Sequence, residues 1–208
     1  MTFTSVADGV GSGTSISYVE VVANDDDGVE WFGGNVDLNG AVIWNSGDDS
    51  MDTDQDWTGT ATNFYIVTPD GSAFELDGPE GGNDATGVHT FTNGTVYAGN
   101  RIGNLVDWDS GTNAGLTNIF FFGIEEGYYA EGSAIASFGG NGEGTTDNWE
   151  IVLPGADTAV GILGADAAAI TTVVDNLGAA TVVATSTSAA GFEWTLAAQS
   201  GALTDIGL

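Results

Sequence analysis

The sequence predicts a mainly β fold: an antiparallel β-sandwich or jelly-roll-like single domain over residues 1–208, with one C-terminal helix. Three observations carry this. Short runs alternate apolar and polar side chains, turn residues interrupt them roughly every ten positions, and Gly accounts for 33 of the 208 residues. Hydrophobic residues make up 42%, too many for a disordered acidic tail.

The elements follow in order. Ser15 to Val21 alternates with period two and stops at Asn24-Asp25-Asp26-Asp27-Gly28. Val36–Leu38, Ala41–Trp44 and Asn63–Val67 read as strands, and Pro69-Asp70-Gly71 as the turn before Ala73–Leu76. Val88–Thr92, Thr95–Tyr97, Leu105–Trp108, Asn118–Gly123, Ala134–Phe138 and Trp149–Leu153 continue the series. Within it, Phe120-Phe121-Phe122 suits a strand buried on both faces. The last quarter changes character. Asp166 caps an expected helix, about residues 166–177, with Ile170, Val173, Val174 and Leu177 on one face and Gly178 as its stop. Thr181–Ala184 and Phe192–Ala197 read as closing strands, and no repeat of fixed period is evident.

Charge excludes several functions. The chain has one Lys or Arg, thirty Asp plus Glu, and a formal net charge of −29. Nucleic-acid binding needs Lys and Arg against phosphates, and Arg101 is alone. With no Cys there is no thiolate metal site, and with no Lys there is neither a Schiff base nor a phosphate loop. No stretch approaches the ~18 uninterrupted apolar residues of a membrane span, so membrane insertion is not expected. Met1-Thr2-Phe3 opens directly on a strand-like pattern, without a basic region or long apolar core. The expectation is an extracellular protein exported without a cleaved N-terminal signal; the alternative is the cytoplasm of a halophile. The terminal strand, Met1 to Ala7, pairs either in its own sheet or with the open edge of a neighbouring copy.

The acidic residues concentrate in loops, where Asp is the chemistry of turns and of hard cations. Asp52, Asp54 and Asp56 stand at alternate positions, with Asp48 and Asp49 just before them, and Asp25, Asp26 and Asp27 are consecutive. These eight are the candidate Ca²⁺ ligands. The turn-making Gly and closing Glu of an EF-hand are missing, since Trp57 and Asn63 occupy those places. His89, the one imidazole, lies in an expected strand, and no Gly-x-Ser-x-Gly elbow accompanies it. Asn93-Gly94-Thr95 matches a glycosylation acceptor. The six Trp are spread along the strands, which favours core packing over a sugar-binding platform.

A Cys-free, Lys-free, Gly- and Asp-rich β chain ending in Leu203-Thr204-Asp205-Ile206-Gly207-Leu208 resembles bacterial extracellular proteins exported by type I secretion. Within that group, Gly82-Asn83, His89-Thr90-Phe91, Thr95-Val96-Tyr97 and the segment Asp166 to Gly178 resemble the haemophores' order of ligand loop, strand and helix. The resemblance implies haem binding, through His89. Taken together, the expected protein is not an enzyme. It is a secreted, calcium-stabilised structural subunit that assembles with copies of itself into a filament, sheath, surface layer or biofilm matrix. The alternative is a secreted binding protein for haem or, through its aromatics, for glycans.

Overall fold

The computed structural model describes residues 2–4, 14–55, 57–78, 87–109, 111–129, 132–139, 144–182 and 189–208. Among them the strands are β1 (Thr2–Thr4), β2 (Ser15–Val22), β3 (Val29–Phe32), β4 (Asp37–Trp44), β5 (Met51–Asp54), β6 (Thr60–Val67), β7 (Phe74–Leu76), β8 (His89–Gly99), β9 (Val106–Trp108), β10 (Ala114–Ile124), β11 (Trp149–Ile151) and β12 (Thr171–Val173). All of their pairings are parallel. They form one sheet ordered β1-β3-β5-β7-β9 and another ordered β12-β11-β10-β8-β6-β4-β2. Strands alternate between the two sheets along most of the chain, so each circuit lays a new coil on the last. The fold is a parallel β-solenoid, not the antiparallel sandwich or jelly roll that the turn spacing predicts. The turn signals are corners of a coil, not hairpins.

The corner in the larger sheet has a single cause. Tyr18, Gly40, Asn63, Asn93, Asn118 and Asn148 stand in one column, with φ of 63°, 81°, 59°, 58°, 58° and 55°. Asn and Gly enter this left-handed region at low cost. One such residue inside a strand bends it and shifts the inward alternation by one. Interior residues therefore run Leu38, Ala41, Ile43; then Ala61, Phe64, Ile66; then Leu116, Ile119, Phe121. Amide side chains join the corner from coil to coil. Asn63 donates to Asn39 (2.9 Å), Asn93 to Asn63 (3.5 Å), Asn118 to Asn93 (3.1 Å) and Asn148 to Asn118 (2.5 Å). The Asn93-Gly94-Thr95 glycosylation pattern is thus part of this ladder, and Thr95 is fully buried.

Rings fill the coil interior. Trp31 stacks on Trp57 at 4.3 Å, and Phe91 meets Phe64 and Phe74 edge-on. Trp31, Trp57, Trp108 and Trp149 are buried, as core packing requires. Between β11 and β12, α1 (Ala159–Leu163) and α2 (Ala165–Ala169) put Ile162, Leu163 and Ala167 into the same core.

The expected helix over 166–177 is cut short. α2 ends before Ile170, and β-branched Thr171, Thr172 and Val173 join the sheet beside β11 instead. The C-terminal segment then covers the outside of the large sheet. Val182 and Leu177 pack on Phe120 and Phe122, whereas Phe121 points into the coil. Of the expected closing strands, Thr181–Ala184 lies outside the described residues from 183 on. Around Phe192–Ala197 the chain forms α3 (Ala189–Phe192) and α4 (Leu196–Gln199), followed by α5 (Ala202–Asp205). Phe192, Ala197 and Leu203 pack against Val42 and Tyr65. Two carboxylates hold this cover down. Glu20 accepts from the N–H groups of Leu196 (2.7 Å) and Ala197 (2.8 Å), and Glu150 accepts from Thr181 and Val182. At the other end β1 pairs with β3 of its own chain.

Candidate functional site

The smaller sheet sorts its side chains by alternation. Val29, Trp31, Met51, Thr53, Phe74, Leu76, Val106 and Trp108 are buried. Between them, register aligns Glu30 with Asp52, Asp52 with Glu75, and Glu75 with Asp107 on the outer face. Neighbouring strands lie about 4.8 Å apart, so this column repeats a carboxylate at that interval. Asp27 and Asp49 flank it on one side, joined by Gly28 N–H to the Asp49 carbonyl (2.8 Å). On the other side Asp54 ends β5, and Asp77 and Asp109 follow β7 and β9.

The turns fix several of these groups. Asn24 Nδ2 donates to the carbonyls of Asp26 (2.6 Å) and Asp27 (2.5 Å). Asp27 Oδ1 accepts the Asp49 N–H at 3.1 Å, and Asp49 Oδ1 accepts the Ser72 N–H. Oxygens of Asp26, Asp27 and Asp48 lie within 4.8 Å of one another, as do those of Asp27, Glu30 and Asp52. Asp25 stands apart, in a cleft with Asn45, Asp70 and Arg101. Arg101, the sole Lys or Arg of the sequence, pairs there with Asp70 and donates to Asn45 at 3.1 Å. Asp56 lies outside the described residues.

Like charges at this spacing resist ionisation together. Burial, then the charges of Asp27, Asp54 and Glu30, push Asp52 up to about 8. Burial, with Asp49 and Glu30 alongside, raises Asp27 to about 6 despite the Asp49 N–H bond. A hydrogen bond between Glu75 and Asp49 requires a proton on one of them, and with burial it holds Glu75 well above the carboxylate range. Asp48 and Asp107 move the same way, chiefly through burial. Crowded carboxylates of this kind bind protons more tightly than isolated ones.

The structure brings Asp26, Asp27, Asp48, Asp49, Asp52 and Asp54 to this face. Sequence reasoning missed Glu30, Glu75 and Asp107. Their signal is an acid between two inward residues: Val29-Glu30-Trp31, Phe74-Glu75-Leu76 and Val106-Asp107-Trp108. His89 lies on the inner side, 2% exposed. Its Nδ1 donates to the Trp57 carbonyl (3.2 Å), Nε2 meets Thr53 Oγ1 (3.3 Å), and burial lowers it to about 4. Both ring nitrogens are engaged inside the core.

A family model described as a pectate-lyase-like beta helix domain matches residues 5–196. No curated protein and no solved structure matches the chain. Since the matched span takes in most of the sequence, the chain belongs to the pectate-lyase-like β-helix family.

Proposed function

We propose that this member of the pectate-lyase-like β-helix family is a secreted, non-catalytic structural subunit. Its acidic face collects divalent cations, Ca²⁺ foremost, and joins copies of itself through them. The carboxylate column Glu30, Asp52, Glu75, Asp107 carries this reading. Identical faces of one sign repel, and a hard cation shared between them removes the repulsion and supplies the contact. The sequence has one cationic side chain with which to do this otherwise, and Arg101 is bound to Asp70.

The family's name favours a second reading, an anionic glycan such as pectate as the partner. A polyuronate meets a face of its own sign here, so bridging cations would again hold it. A buried His89 with both nitrogens engaged gives the haem reading no support.

Light scattering of purified protein at constant ionic strength tests the proposal. Association in millimolar Ca²⁺, reversed by chelator and absent in equivalent NaCl, is expected. A particle size that ignores Ca²⁺ sinks self-assembly. Association driven equally by molar NaCl returns the acidity to halophily.

A further inference from the structure

Asp27 and Glu30 sit at the start of one coil, and Asp52 lies in β5, on the next. Each offers an oxygen within 4.8 Å of the other two. Asp52 is only 6% exposed, and its Oδ1 is buried without a hydrogen-bond partner. A buried carboxylate oxygen left unpaired is costly, and an oxygen-seeking cation among three carboxylates removes that cost. Asp27 is held in place by the Asp49 N–H.

We infer that Asp27, Glu30 and Asp52 hold one hard divalent cation that staples two successive coils of the solenoid. The chemistry selects the ion. All three ligands are carboxylates, the sequence has no Cys, and its one His is buried in the core, so soft and borderline metals find no N or S donor. Ca²⁺ takes six to eight oxygens in flexible geometry, with water completing the shell; Mg²⁺ demands a near-octahedral set. The staple rests on the cation-binding reading of the face. It adds a discrete intramolecular site that exists in the monomer.

Calorimetric titration of the whole chain with CaCl₂, at a concentration where it is monomeric, tests this, with tryptophan-excited Tb³⁺ luminescence as a second readout. One tight site per chain is expected above any weak background. Asp52→Asn and Glu30→Gln should each weaken that phase at least tenfold. Asp107→Asn, in the same column but two coils away, should leave it intact. Melting adds a sign. Without Ca²⁺, Asp52→Asn should melt above the parent chain, because an unpaired acid is gone, and it should lose the Ca²⁺-induced rise. If Asp52→Asn fails to fold, Glu30→Gln carries the test alone. A tight phase that survives Glu30→Gln, or that is missing in the parent chain, overturns the staple. A tight phase without any association overturns only the self-assembly reading, and association without a tight phase overturns only the staple.

Discussion

Asn118 donates its side-chain amide to Asn93 Oδ1 at 3.1 Å, across 25 residues of chain. Both residues have φ of 58°, a conformation that costs most L-residues energy. The pair therefore does two things. It holds the left-handed corner that turns each strand, and it ties one coil to the next.

Separating those roles is a matter of two substitutions. Asn118→Ala loses the amide bonds to Asn93 and Asn148 and forces a Cβ-bearing residue without a local partner into the corner. About 1–2 kcal/mol for the backbone and ~1 kcal/mol for the bonds should appear in urea unfolding. Asn118→Gly keeps the corner and should lose about half as much. Equal losses would mean that the conformation contributes nothing.

The same corner explains what was legible in the sequence. In the larger sheet the strands from β2 to β11 were, because inward Val, Ile, Leu and Phe leave a local period of two. β3 and β5 were not, β12 fell within the expected helix, and Ala134–Phe138 makes an isolated bridge at Ile135 instead of a strand. Parallel pairing was not. Alternation looks the same in both directions, and strand partners as far apart as Ser15 and Asp37 or Phe74 and Val106 leave no hairpin signal. The repeat also hid. Ladder partners are separated by 24, 30, 25 and 30 residues, so no fixed period exists. What does recur is Thr62-Asn63, Thr92-Asn93 and Thr117-Asn118, each with an inward residue just before the pair and another just after it. The acidic site was half legible. The Asp runs in turns stood out, whereas Glu30, Glu75 and Asp107 occur singly and gain meaning only when coils stack.

Packing at the corner gives the next expectation. A Cβ added at Gly94 would run into the Phe64 ring of the preceding coil. Gly94→Ala should destabilise by about 1–3 kcal/mol, the usual cost of overpacking. Phe64→Leu in the same chain should recover part of that loss. Additive losses in a double-mutant cycle, measured by urea unfolding, would show that the two positions do not meet.

Stability without divalent cations should fall as pH rises above 6.5. Asp52, at about 8, and Glu75, raised by its Asp49 hydrogen bond and by burial, bind protons more tightly folded than in the unfolded chain, whereas Asp27, at about 6, has given up most of its proton by pH 6.5. The folded state then holds more protons through this window, and unfolding becomes easier as they leave. His89 works the other way, but only between about 4 and its ordinary 6.5. From pH 6.5 to 8.5 the carboxylates act alone. Scanning calorimetry in chelator should show a declining Tm, made shallower by Asp52→Asn, which leaves Glu75 in place, and by Ca²⁺. A Tm that rises across this range would remove the acidic face as a source of strain.

The C-terminal cover should loosen without unfolding the solenoid. Glu20 reaches from β2 to the N–H groups of Leu196 and Ala197 at the start of α4, and Thr195 caps Ala198 at 3.0 Å. Glu20→Ala removes the carboxylate but leaves the Thr195 cap, so the loss is that of one helix cap, about 1 kcal/mol. Amide exchange at Leu196 and Ala197 should quicken roughly fivefold, the factor that energy corresponds to. Amides of β8 and β10, bonded within the coil stack, should exchange at the parent rate, because Phe192 and Leu203 still seat the segment on Val42 and Tyr65. If the whole chain exchanges faster, the cover is part of the cooperative fold. If Leu196 and Ala197 do not respond, Glu20 is not what holds it.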